Sequence, residues 1–184
     1  MLSPSLALAQ VNDLVIPPPS GYVNDFANWL SPATASLLEQ QLSAFEQETG
    51  HEIVVATTES LQETYIEDLA TRWFESWGIG KAQADNGILF LIVPSAREMR
   101  IEVGYGLEGI LPDTLASRIL ETAVKPEFQA DNPEAGVIAG VDLLTSITSG
   151  EEVPEYLLNP NANVNSQIGL FVFGFIIFLV AFAI

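Results

Sequence analysis

Cysteine is absent from this chain of 184 residues, histidine occurs once, and lysine and arginine together number six. Without thiols there is no disulfide, no thiolate zinc site and no cysteine nucleophile. From this one histidine no Ser/His/Asp set can be assembled convincingly. His51 opens a strand just after a helix stop, where a structural or solvated imidazole is expected. Six bases against 24 acids give a net charge of -18, which excludes nucleic acid as a partner, because phosphate binding needs a basic surface. The shortage is also uneven. Arg72, Lys81, Arg97, Arg100, Arg118 and Lys125 all lie within 72–125, while residues 13–71 carry ten acids and no lysine or arginine. Such a surface favours cations or basic partners and repels anionic lipid heads. Solubility alone is the plainer explanation of it.

Long apolar runs are also missing, except at one end. Ile168–Ile184 (IGLFVFGFIIFLVAFAI) has no charge, proline or asparagine. As a helix it would reach about 25 Å, a little short of a hydrocarbon core of roughly 30 Å. Its apolar character runs all round, unlike the one-sided stripe of a core helix. We expect a transmembrane segment, cut short where the chain stops. At the other end MLSPSLALAQ closes with Ala7-Leu8-Ala9, the small-residue spacing that a signal peptidase requires, although no basic n-region precedes it. Residues 1–9 are therefore expected to be the end of a signal peptide, 10–20 (with Pro17-Pro18-Pro19) a linker, 21–150 one folded domain, 151–167 a second linker and 168–184 the membrane span.

The domain alternates helix and strand. Ser31-Pro32 is an N-cap followed by proline at the first helical position, and Leu37, Leu38, Leu42 and Phe45 make one face. Gly50 stops that helix. His51–Thr58 is β-branched and reads as a buried strand, and Thr64–Trp77 as an amphipathic helix with Ile66, Leu69, Trp73, Phe74 and Trp77 inward. Ile88–Val93 is the most apolar short strand. Residues 97–103 alternate, and Pro94-Ser95-Ala96 is too short for a crossover, so these two strands must form an antiparallel hairpin. Asp113 caps a helix expected to end before Pro126, and Asn132-Pro133 opens another running to Gly150. Strand, helix, strand in succession implies a parallel pair, hence a mixed sheet between helices: an α/β fold built as a three-layer α/β/α sandwich.

Gly104-Tyr105-Gly106-Leu107-Glu108-Gly109 matches G-x-G-x-x-G, yet a dinucleotide reading fails. The preceding strand belongs to a hairpin, no helix opens at the glycines, and Glu108 sits where a pyrophosphate would approach. Topology offers a different site. The hairpin sets the start of strand 88–93 beside the end of strand 97–103, so Asp85, Glu108 and Asp113 fall at one edge of the sheet. Three carboxylates near glycine-freed carbonyls suit a hard cation; calcium takes 6–8 oxygens and tolerates irregular loops, whereas magnesium is more demanding. Equally, Asp85 can serve an Asx turn and Asp113 a helix cap.

Several runs, taken together in order, resemble the TPM domain family, named for a thylakoid-lumen phosphatase, a cyanobacterial photosystem II protein and a nematode receptor modulator. They are Gly21-Tyr22-Val23-Asn24-Asp25, Trp77-Gly78-Ile79-Gly80, Asp85-Asn86-Gly87-Ile88-Leu89, Arg100 through Gly109, and Leu111-Pro112-Asp113. The resemblance covers about 22–148. It implies an α/β/α sandwich on the exterior, periplasmic or lumenal side, often with one C-terminal transmembrane helix. It also implies calcium in some members, acid phosphatase activity in the plant lumenal one and photosystem II repair in the photosynthetic ones. Asp85, Glu108 and Asp113 match the family's acidic positions. Asp25 matches too, but the topology does not bring it to the same edge. The expectation is thus a membrane-tethered, extracytoplasmic domain that binds calcium (or magnesium) and serves membrane protein complexes as an accessory. A metal-assisted phosphatase of low activity and a metal-free structural module are the alternatives.

Overall fold

The computed structural model describes residues 14–81 and 83–159. The segments expected as signal-peptide end (1–9) and membrane span (168–184) lie outside them. Among the described residues no helix is long and apolar enough to cross a membrane. The described residues divide into two compact units, one up to Asp113 and one from Thr114.

The first unit is built on a four-stranded sheet in the order β1 (Val23–Asp25), β2 (Glu52–Thr57), β3 (Gly87–Val93), β4 (Glu98–Val103). β1 and β3 both run parallel to β2, and β4 returns antiparallel to β3 with Ile88 opposite Val103. The sheet is mixed and the fold α/β, as the hairpin and helical crossover require. β3 is buried at all seven positions, which is why its sequence GILFLIV shows no alternation. Val54, Ala56, Leu89, Leu91 and Val93 pack with Ile66, Leu69, Ala70 and Trp73 of α2 (Ile66–Trp77). Trp73 is wholly buried, edge-on to Phe26 and tilted against Trp77. Burying such aromatic area contributes several kcal/mol, so Trp73→Ala would cost about 3–5 kcal/mol.

α1 (Pro32–Thr49) starts as its sequence indicates: Ser31 Oγ accepts the Thr34 N–H at 3.2 Å, and Gly50 ends the helix in the left-handed region at φ 77°. Its buried stripe is Leu38, Leu42 and Phe45, spaced 4 and 3. Leu37, expected on that face, is 54% exposed, because it sits about 100° round the helix from Leu38. The Pro-rich segment is more than a spacer. Leu14 and Ile16 pack against the α2 core, Trp77 Nε1 donates to the Pro17 carbonyl, and Gln62 exchanges hydrogen bonds with both backbone groups of Val15.

In the second unit the helix expected to end before Pro126 continues through it. α3 (Asp113–Ile119) passes into a π-helical turn at Leu120–Val124, then α4 (Lys125–Gln129). Proline has no N–H and its ring crowds the carbonyl four residues back. Here the turn before it widens, and the Lys125 N–H reaches the Leu120 carbonyl instead. α5 (Pro133–Thr148) packs by Gly136 against Phe128. A short α6 (Glu155–Leu158) lies in the expected second linker, and Arg118 donates to its Leu157 and Leu158 carbonyls, cancelling acceptors left open at a helix end.

Candidate functional site

Pairing Glu52 with Gly87, and Ile88 with Val103, aligns the starts of β2 and β3 with the end of β4. Two loops leave this edge: residues 78–86 into β3, and 104–112 out of β4. They are clamped backbone to backbone. The Gly106 N–H donates to the Asp85 carbonyl at 2.9 Å, and the Gly104 N–H to the Gly87 carbonyl at 2.9 Å. A Cβ on Gly106 would stand 1.9 Å from the Ala84 oxygen, and one on Gly104 2.2 Å from the Asp85 oxygen. The paired glycines of the G-x-G run therefore serve loop-to-loop contact, with a 3₁₀ turn at Tyr105–Leu107 where a nucleotide site would need a helix start.

Within Asp85-Asn86-Gly87 the three residues do different work. Asn86 is buried: its Oδ1 accepts the Lys81 N–H at 2.9 Å, and its Nδ2 donates to the Gly50 carbonyl at 2.7 Å and lies 3.3 Å from His51 Nδ1. It ties the end of α1, the start of β2 and the 78–86 loop together, and gives His51 the structural role expected of it. Gly87 touches the Ile79–Gly80 backbone too closely for any Cβ. Asp85 alone is spare. It is exposed, in the left-handed region at φ 44°, and its carboxylate makes no hydrogen bond or ion pair among the described residues. Aspartate tolerates that conformation better than most residues, though it still costs of order 1 kcal/mol.

Glu108 is likewise exposed and unpaired among the described residues. Asp113 opens α3, where its charge suits the helix dipole, and its Oδ1 lies 3.8 Å from Arg100 Nη2. Arg100 is nearer Glu102, at 3.2 Å. The loops that carry or lead to the three acids are thus neighbours, clamped where the Gly106 N–H meets the Asp85 carbonyl. They do not gather their side chains: among the described residues no three His, Cys, Asp or Glu stand together as metal ligands do. Carboxylates and carbonyls are the right donors for a hard cation, and closing on one would require exposed rotamers to swing.

Asp25 is at the other edge, the C-terminal end of β1, and is fully used. Its carboxylate accepts the Trp29 N–H at 3.0 Å, the Leu30 N–H at 2.8 Å and the Thr57 hydroxyl at 2.5 Å. Nearby, Glu39 accepts the Tyr22 and Val23 N–H groups and so holds β1 to α1. Tyr22 donates its hydroxyl to Glu46; that bond, then burial and the Glu46 charge, push its phenol up to about 12. Asp25 reaches Trp29 and Leu30 locally, but its bond from Thr57 and the Glu39 bonds to β1 join residues 16 to 32 positions apart, which no local pattern marks.

The TPM domain profile matches residues 23–147, about two thirds of the chain. This protein belongs to the TPM domain family. Among solved structures, its TPM domain is similar to the N-terminal domain of a P. gingivalis protein at 34% identity and TM-score 0.66, covering 70% of this chain and 82% of that one. The N-terminal domain of cg2496 from Corynebacterium glutamicum shares the fold at 14% identity and TM-score 0.55, over 83% of this chain and 87% of that one. BA42 from Bizionia argentinensis does so at 17% identity and TM-score 0.58, over 66% and 83%. No curated protein matches the chain.

Proposed function

We propose that this TPM protein is a membrane-tethered, extracytoplasmic module of three-layer α/β/α build. It binds a divalent cation, calcium before magnesium, at the edge carrying Asp85, Glu108 and Asp113, and acts as an accessory to membrane protein complexes. One observation carries the reading. Asn86 and Gly87 are consumed by packing, while Asp85, next to them, is held in a left-handed conformation with its carboxylate committed to nothing among the described residues. A strained, unpartnered acid on a backbone clamp is better explained by a ligand than by stability. The apolar 168–184 segment and the Ala7-Leu8-Ala9 pattern supply the reasons for the tether and for the side of the membrane.

The test is thermal unfolding of the full chain in EDTA and in millimolar calcium or magnesium. A cation that binds only the folded state adds about 2.7 kcal/mol at a hundred times its dissociation constant. We expect a higher melting temperature with calcium, and loss of that gain as acid protonates the ligands. Identical melting with and without both metals rejects the site. Metal-dependent turnover of a phosphomonoester that disappears in Asp85→Asn would replace the accessory role with an enzymatic one.

A further inference from the structure

A pocket of about 320 Å³ opens beside β1 and β2, lined by Pro19, Tyr22, Glu52, Val54, Trp77 and Ile79. β1 is only three residues long and pairs with Val55–Thr57, so Glu52–Val54 at the start of β2 have no β1 residue paired with them. The pocket walls are of two kinds. Tyr22 and Trp77 supply aromatic rings; both are fixed, Tyr22 by its hydroxyl on Glu46 and Trp77 by its indole N–H on the Pro17 carbonyl at 2.8 Å. Glu52 supplies the one charged group. Its Oε2 accepts the Gly80 N–H at 2.6 Å, and its second oxygen has no partner among the described residues. No lysine or arginine lines the pocket.

We infer that this pocket receives a guanidinium or alkylammonium group carried by a basic segment of a partner protein. Aromatic faces attract cations through the ring quadrupole, and a carboxylate at the pocket wall supplies the counter-charge that an anion or a neutral apolar guest would find repulsive or wasted. Tyr22 donates a hydrogen bond to the Glu46 carboxylate, which makes its ring a richer π face. Residues 13–71, which run through β1, α1 and β2 into α2, carry ten acids and no lysine or arginine, and so extend a negative field beyond the pocket. Such a field steers a polycationic segment more strongly than a single small ion. This site is separate from Asp85, and needs no metal.

The experiment follows the Trp77 indole N–H in a nitrogen-correlated NMR spectrum of the full chain, assigned by its loss in Trp77→Phe. The probes are acetyl-Gly-Arg-Gly-amide and the same peptide with citrulline, which keeps the shape and removes the charge. We expect a saturable shift with the arginine peptide and none with citrulline. Glu52→Gln keeps an acceptor for Gly80 and should weaken binding at least tenfold, while Asp85→Asn leaves it unchanged, so the cation edge and this pocket fail independently. Trp77→Phe, followed through the Gly80 amide, should bind severalfold more weakly because its ring face is poorer. Equal responses to arginine and citrulline, or full binding by Glu52→Gln, would overturn the inference. Saturation by tetramethylammonium with no response to the arginine peptide would also overturn it, in favour of a small free cation.

Discussion

Asp25 and Asp85 stand at opposite edges of the same sheet, and the resemblance read from the sequence singles out both. Asp25 accepts three hydrogen bonds, two from backbone N–H groups and one from Thr57. The Asp85 carboxylate accepts none among the described residues, and the residue sits at a positive φ. One carboxylate holds the turn after β1; the other is held by its surroundings and left open. The pair shows that matching a family's acidic residues does not by itself assign function. What separates structure from site is whether the protein already satisfies the group.

Substitution should make the contrast measurable, with the largest effect at Asp25. Asp25→Ala leaves two N–H donors and a hydroxyl without their acceptor. With about 1–3 kcal/mol for each buried group left unsatisfied, and water reaching some of them, we expect a loss of about 3 kcal/mol in chemical denaturation. A loss under 0.5 kcal/mol would erase the distinction between the edges. Next is Asn86→Ala, which deletes the buried amide joining Lys81 and Gly50 and should cost about 2 kcal/mol. Because Asn86 positions Asp85, this variant should also lose any calcium-induced stabilisation, although it removes no charge.

Tyr22 gives a pH-dependent comparison on the β1 side. Its phenol is raised in the folded state from 10.0 to about 12, so folding favours the protonated form. The corresponding stabilisation is complete below pH 10 and is lost as pH rises from about 10 to 12. Tyr22→Phe should melt at a lower temperature than wild type at pH 8, with the two converging toward pH 12. A constant difference across that range would mean that the hydroxyl bond to Glu46 does not govern the shift.

The elements that could be read from the sequence are those with local causes. The Ser31 cap, the Gly50 helix stop and the 88–103 hairpin all follow from residues within a few positions, and the hairpin sets the loop with Asp85 beside the loop with Glu108. β1 was not legible. Three residues are too few to show alternation, and Val23–Asp25 becomes a strand through pairing with Val55–Thr57 and through Glu39. The pocket at Tyr22, Glu52 and Trp77 depends on that strand, so it was equally hidden. Pro126 misled for a different reason: a proline usually ends a helix, but a π turn can absorb the missing N–H. The saturation of Asp25 required Thr57, 32 residues away.

The smallest expected effect on stability is also the sharpest test of the comparison. Asp85→Asn keeps a residue that tolerates the left-handed region and removes one exposed charge from an edge that also bears Glu108 and Asp113. No hydrogen bond or ion pair of the described residues is lost with it, so in EDTA the stability should stay within about 0.5 kcal/mol of wild type. In calcium the variant should gain much less than wild type does, because a ligand oxygen has lost its charge. Glu59→Gln, on the loop after β2 at the Asp25 edge, controls for net charge and should keep the full calcium gain. Three results are then read together: an unchanged EDTA value, a reduced calcium gain in Asp85→Asn, and an intact gain in Glu59→Gln. If Asp85→Asn instead loses about 2 kcal/mol in EDTA, Asp85 is a structural acid like Asp25, and the two edges are alike after all.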